Sequence, residues 1–158
     1  MYRIGQGTDF HQLAEGKELW LGGVKIPHTK GAVAHSDGDV LLHALCDALL
    51  GALGLGDIGK HFPDTDIRFK GIDSKVLLQR TYSKIREKGY WLINADCTLL
   101  LQAPKIAPHV EAMQQAMSRI LNVSREDISI KATTTEQLSF IGREEGVVAT
   151  AIVLLQKF

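Results

Sequence analysis

The sequence predicts an α+β fold: a single domain over residues 1–158, with about four strands in a mainly mixed sheet, helices on one face and the other face packed against another subunit. Three observations predict it. A chain of 158 residues, 45% hydrophobic and 23% charged, has the size and composition of one globular domain with a full core. Strand-like runs alternate loosely with three helix-period segments, and no repeat, low-complexity tract or linker divides them. The closing run "VVATAIVLL" is apolar on both faces, so its second face needs cover that a neighbouring subunit would supply.

Taken in order, Met1 to Asp9 reads as a strand, and "LWLGGVKIP" as a short hairpin around Gly22-Gly23. "HTKGAVAHSDG" is polar and turn-rich. The first helix runs from about Asp39 to Leu53, on the spacing of Leu41, Leu45 and Leu49, and stops at the glycines of "GLGDIG". "GKHFPDTDIRFKGI" has no periodicity and reads as a long functional loop. A second helix runs from near Ser74, a candidate N-cap, to Gly89. "YWLINADCTLLLQ" is a strand, and "APKIAPHVEAMQQAMSRIL" leads through a proline into the third helix. "ISIKATTT" is a strand, "EQLSFIGREEG" a loop and "VVATAIVLLQKF" the last strand.

The formal net charge is zero, so no global field draws the chain to nucleic acid or to an anionic membrane; an anionic ligand would need a local site. No apolar run reaches the roughly 18–20 residues of a membrane span. The start, "MYRIGQGTDFH", lacks a signal-peptide pattern, which predicts a cytoplasmic protein, or a plastid one where a transit peptide has been removed. Cys46 and Cys97, far apart in sequence, read as packing residues rather than as a disulfide or a thiolate metal site.

Candidate chemistry begins in "GTDFH". Asp9 and His11, two apart in a strand, point to one face and can share a divalent ion, although two polar residues on an exposed face is the plainer reading. His43 lies four residues from both Asp39 and Asp47, so these three share a helix face. Asp9, His11 and His43 together make a three-ligand set of the kind zinc takes, with a fourth position open. Asp47 could then accept a hydrogen bond from the far nitrogen of His43 and fix its tautomer. In "HSDGD", helix capping accounts for Ser36 and the aspartates but leaves His35 unexplained; His35, Ser36 and the helix N-terminus together suit a phosphate. "ATTTEQ" reads equally as a capping box or as hydroxyls grouped beside Glu136. Lys105 in "QAPKIAP" is either a surface lysine or, just before a helix, a ligand for a diphosphate.

These pieces, with "LGG", "HSDGDVLLHALCDALLGALGLGDIG", "HFPDTD", "NADCT", "QAPK", "KATTTE" and "GREEG" in order, resemble the 2-C-methyl-D-erythritol 2,4-cyclodiphosphate synthase family over essentially the whole chain. The long block from His35 to Gly59 is the most specific. Ser139 departs from the glycine usual in the family. The resemblance implies a homotrimer with active sites between subunits. It implies one Zn2+ on Asp9, His11 and His43, and a second divalent cation, Mg2+ or Mn2+, near Glu136. It assigns Ala103, Lys105, Ile106, Ala107, Thr133 and Thr134 to a cytidine nucleotide, and Ser36, Asp57, Gly59, Phe62, Asp64, Asp66, Phe140 and Arg143 to the rest of the substrate. His35 and Thr134 would act at the reacting phosphates, and residues 60–72 would form a lid.

The reaction so implied is intramolecular: the 2-phosphate of 4-diphosphocytidyl-2-C-methyl-D-erythritol 2-phosphate attacks the β-phosphorus and expels CMP. Two other functions compete. A phosphohydrolase with a zinc-activated water would release inorganic phosphate or an opened product. A trimeric binding protein would hold an isoprenoid diphosphate in an axial cavity, using Arg143 and Glu145, but would leave the zinc set and the nucleotide residues without a purpose.

Overall fold

In the computed structural model, which covers residues 1–158, the chain opens with a 14-residue strand, β1 (Tyr2–Glu15). A hairpin of β2 (Leu19–Leu21) and β3 (Val24–Ile26) follows, turning through Gly22 and Gly23, both at positive φ. Then come β4 (Lys30–Val33), helix α1 (Val40–Ala52) and a single turn, α2 (Ile58–His61). Helix α3 (Ser74–Glu87), β5 (Tyr90–Leu100), helix α4 (Val110–Leu121), β6 (Ile128–Thr133), the turn α5 (Ser139–Gly142) and β7 (Gly146–Lys157) complete the chain.

The strands form a mixed five-stranded sheet in the order β4-β1-β7-β5-β6, with β2 and β3 as a separate pair. Only β5 and β6 are parallel, and α4 lies between them in sequence, as a parallel connection requires. The sheet therefore has one strand more than the four predicted. The addition is β4, hidden in "HTKGAVAHSDG": four residues containing a glycine, too short to show a period, and held by pairing with Gln12–Glu15 alone. Two further corrections are local. Ser74 is not the cap of α3; Asp73 is, accepting from the Lys75 N–H at 2.8 Å. Within the "EQLSFIGREEG" loop, Ser139–Gly142 makes one helical turn, whereas Pro108 lies as expected, in the 3-10 turn that leads into α4.

Helix α1 is the centre of the molecule: eleven of its thirteen residues are buried, so it is apolar nearly all round and has packing on every side. Its seat on the sheet is made by glycine. A Cβ on Gly7 would lie 2.0 Å from the Ala44 carbonyl oxygen, and one on Gly5 would lie 1.9 Å from that of Ala48. No side chain fits there, so helix backbone rests directly on strand backbone. Cys46 and Cys97 are buried in the core, and burial pushes both thiols up to about 12, which suits packing residues. On the opposite face of the sheet Ile4 is 72% and Ile152 47% exposed, with Tyr2 and Phe10 nearby also exposed. No helix is long and apolar enough to cross a membrane.

Candidate active site

Alternation along β1 puts Gly5, Gly7, Asp9 and His11 on the face that meets α1. Where the glycines end, the next two inward positions carry Asp9 and His11, and the helix answers with His43, one residue before Ala44. The donor atoms form an almost equilateral triangle. Asp9 Oδ2 to His11 Nε2 is 3.1 Å, Asp9 Oδ2 to His43 Nδ1 is 3.2 Å, and His11 Nε2 to His43 Nδ1 is 3.2 Å. Ligands on a tetrahedral zinc at about 2.0–2.1 Å are spaced by about 3.3–3.4 Å. The triangle fits such an ion with only a small expansion and leaves the fourth position toward open space. Two imidazole nitrogens and a carboxylate oxygen at this spacing are three electron-pair donors converging on one point.

The electrostatics agree with that use. Burial raises the Asp9 carboxyl, but hydrogen bonds and charge from His11 and His43 outweigh it and bring the group down to about 2, so it is a carboxylate throughout the neutral range. Burial lowers the His43 imidazole, yet its contact with Asp9 and the charges of Asp39 and Asp37 carry it above the usual histidine value. The site attracts positive charge.

The triangle forms one end of a cavity of about 580 Å³. His35 and Ser36 border it from the turn before α1, Gly59 from α2, and Phe62, Asp64 and Phe69 from the loop that follows. Phe62 and Phe69 meet edge to face at 5.5 Å, giving that wall an apolar body. His35 Nε2 lies 3.3 Å from the Asp66 carbonyl oxygen, and the Gly71 N–H donates to the His35 carbonyl at 2.7 Å, so the loop is tied to the residue it would cover.

Among the other predicted residues, three that shared a helix face have different jobs. Asp39 caps α1 through the Leu42 N–H at 3.0 Å and also takes the Gly22 and Gly23 N–H groups at 3.0 and 2.7 Å, clamping the hairpin to the helix. Burial raises its carboxyl, and these backbone donors oppose the rise. Asp47 does not reach His43. Its Oδ1 accepts the Ile58 N–H at 2.8 Å, so it pins α2 beneath the cavity wall, and its predicted role as the histidine's outer partner is corrected. Two serines stand at that nitrogen instead: Ser74 Oγ is 2.8 Å and Ser36 Oγ 3.2 Å from His43 Nε2. No local signal marks Ser74 for this place, because the start of a helix is where serine is expected anyway.

Asp57 caps α2, accepting from the Lys60 N–H at 3.0 Å, and Asp66 pairs with Arg68 at 2.6 Å; neither lines the cavity. Lys105, Ile106, Ala107, Thr133 and Thr134 come together around a second cavity of about 330 Å³ at the far end of the sheet, with Ala103 adjoining in sequence through a cis bond to Pro104. The two cavities share no lining residue, so His35 and Thr134 are not brought together within one chain. Glu136 is exposed and outside both; its N–H donates to Thr134 Oγ1 at 3.2 Å. Phe140 packs on Phe10 with ring centres 6.3 Å apart beside a third hollow that includes His11, and Arg143 pairs with Glu145 at 3.0 Å.

With the geometry in place, comparison with known proteins is direct. Residues 2–156 match the model of the YgbB family. The 2-C-methyl-D-erythritol 2,4-cyclodiphosphate synthase of Bacillus cereus (strain ATCC 10987 / NRS 248) is 59% identical over 157 residues, 99% of each chain. Among solved structures, a 2C-methyl-D-erythritol-2,4-cyclodiphosphate synthase in a CDP-bound form superposes with a TM-score of 0.90 at 44% identity, over 98% of this chain and all of that one. The bifunctional IspDF of Campylobacter jejuni superposes with a TM-score of 0.96 at 47% identity, and this chain spans 43% of that longer protein. The chain belongs to the YgbB family, that of the 2-C-methyl-D-erythritol 2,4-cyclodiphosphate synthases.

Proposed function

We propose that the chain converts 4-diphosphocytidyl-2-C-methyl-D-erythritol 2-phosphate to 2-C-methyl-D-erythritol 2,4-cyclodiphosphate and CMP, in the cytoplasm and as a homotrimer. The observation that carries the reading is the Asp9–His11–His43 triangle, set at the end of a cavity whose wall holds His35 and Ser36. One zinc ion on these three residues would supply Lewis-acid stabilisation of charge on a bound phosphate oxygen. The rest falls to the chain. An oxygen of the 2-phosphate attacks the β-phosphorus, and the bond from that phosphorus to the bridging oxygen breaks, that oxygen leaving with CMP. Nucleophile and electrophile belong to one molecule, so no protein nucleophile is called for. What the protein provides is an in-line pose and relief of repulsion between phosphates. His35 and Ser36 donate to the transferring phosphoryl group, and Asp64 and Gly59 hold the methylerythritol end. Phe62, with Phe69 beneath it, keeps water from the reacting phosphorus.

Lys105, Ala103, Ile106, Ala107 and Thr133 would hold the cytidine diphosphate, with Thr134 at its phosphates and Glu136 taking a second divalent cation, Mg2+ or Mn2+. That the nucleotide cavity shares no residue with the metal cavity supports a site completed by a neighbouring subunit. So does the apolar outer face of the sheet around Ile4, Phe10 and Ile152. The test is phosphorus NMR of zinc-loaded protein with this substrate and magnesium, beside His43→Ala. CMP and a cyclic diphosphate, absent from the variant, are expected. Inorganic phosphate instead of the cyclic product, or no CMP from zinc-loaded wild type, would overturn the reading.

A further inference from the structure

We infer that Ser74, oriented by Asp37, is a positioning residue that fixes the tautomer of His43 so that its Nδ1 lone pair faces the metal triangle. The inference rests on the zinc site proposed above and explains how the buried histidine is held ready for it.

The argument is a count of protons. Asp37 sits in the turn before α1 and reaches the first residue of α3. Its Oδ2 accepts the Ser74 N–H at 2.9 Å, and its Oδ1 accepts the Asp39 N–H at 3.1 Å. Both oxygens already serve backbone donors, and Oδ1 also takes the Ser74 hydroxyl in a short hydrogen bond. A carboxylate only accepts, so the single hydroxyl proton of Ser74 is committed to it. Ser74 Oγ has then only lone pairs left for His43 Nε2, 2.8 Å away, and Nε2 must carry the hydrogen. A neutral imidazole protonated at Nε2 is unprotonated at Nδ1. In the neutral imidazole Nδ1 therefore faces Asp9 Oδ2 at 3.2 Å and His11 Nε2 at 3.2 Å with an electron pair, open to a bound cation or, without one, to a proton.

The placement has no simpler use. Ser74 is fully buried, and its hydroxyl caps nothing, because Asp73 has taken that duty. The same count extends to Ser36. Its Oγ accepts the Gly38 N–H at 3.1 Å and stands 3.2 Å from the protonated Nε2, so its own proton is left to turn into the cavity as a donor to a ligand oxygen. One carboxylate outside the site thus sets the direction of three hydrogen bonds running into it.

The test uses two variants of equal shape, Ser74→Thr and Ser74→Val, so that crowding in a buried place is common to both and only the hydroxyl differs. In metal-free, histidine-labelled wild type in mildly alkaline buffer, nitrogen-15 NMR should show His43 protonated at Nε2. Ser74→Thr should keep that signature and Ser74→Val lose it. Zinc affinity by chelator competition should fall roughly 10–100-fold in Ser74→Val relative to Ser74→Thr, the usual effect of losing an outer partner. His43 protonated at Nδ1 in wild type, or equal zinc affinity in the two variants, would overturn the inference. A wild type that shows the Nε2 proton but binds no zinc would sink the proposed metal site and leave the tautomer assignment standing.

Discussion

Gly7→Ala tests whether the seat of α1 on β1 builds the metal site. The substitution adds one methyl group at a place where its carbon would lie 2.0 Å from the Ala44 carbonyl oxygen and 2.7 Å from the Ala48 nitrogen. Both are backbone atoms, so no side chain can swing away. To open even a 3.0 Å contact the helix must retreat by about 1 Å, five times the tolerance of about 0.2 Å on metal–ligand distances. His43 is the neighbour of Ala44 and goes with it, stretching the two 3.2 Å sides of the triangle that end on its ring. The expected cost in stability is that of overpacking, about 1–3 kcal/mol. The expected loss in zinc affinity is about tenfold or more, comparable to the loss of an outer partner of a ligand. Urea unfolding of the metal-free protein reads the first, and chelator competition the second. Gly5→Ala is the control. Its methyl would meet the Ala48 carbonyl at 1.9 Å, an equal insult one turn further from His43, so it should cost similar stability and less affinity. Gly7→Ala with wild-type zinc affinity despite lowered stability would refute the view that this backbone contact sets the site.

Two further outcomes can be stated from the structure. Ser139 holds φ of 65°, a left-handed conformation that glycine adopts without strain, so Ser139→Gly should stabilise the protein by about 1 kcal/mol in urea unfolding; a destabilised variant would mean that the 3.3 Å bond from the Ile141 N–H to Ser139 Oγ matters more than the backbone. Residues 60–72, the lid of the proposed site, should exchange amide hydrogens more slowly when substrate or CDP saturates the protein, and unchanged exchange across that stretch would count against a lid.

The sequence disclosed what depends on spacing within one element. Asp9 and His11 share a strand face, and the apolar stripe of α1 is plain in its leucines. It was mute where the decision lies between elements. Nothing local distinguishes Asp47, which binds the Ile58 N–H, from an aspartate turned toward His43, because both lie on one helix face and only the position of α2 decides. Ser74 is legible as a helix start and reads as the cap, although Asp73 beside it is as good a cap. What selects between them is Asp37, 37 residues away, whose carboxylate claims both the N–H and the hydroxyl of Ser74. β4 is silent in the sequence for the same reason: four residues carry no period, and its identity as a strand exists only in the ladder it makes with Gln12–Glu15.

The departure at Ser139 points to how strain is distributed near the second half of the site. Glu136, Gln137, Ser139 and Glu144 all hold positive φ without being glycine, four such residues within one short connection between β6 and β7. Each costs about 1–2 kcal/mol against a relaxed backbone, and such conformations persist only where surrounding contacts hold them. The contacts are present: the Gln137 N–H donates to Gln102 Oε1 at 3.1 Å, the Gly142 N–H to the Leu138 carbonyl at 2.9 Å, and Gly142 leaves no room for a side chain against Gln137. Gln102 belongs to the wall of the second cavity, the proposed nucleotide site, so the strained connection is anchored to that cavity on one side and to β7 on the other. This places Glu136 on a stiff turn beside Thr134 rather than on a loose loop, as the proposed cation role requires of a residue that must present its carboxylate at a fixed distance from phosphates held by its neighbours.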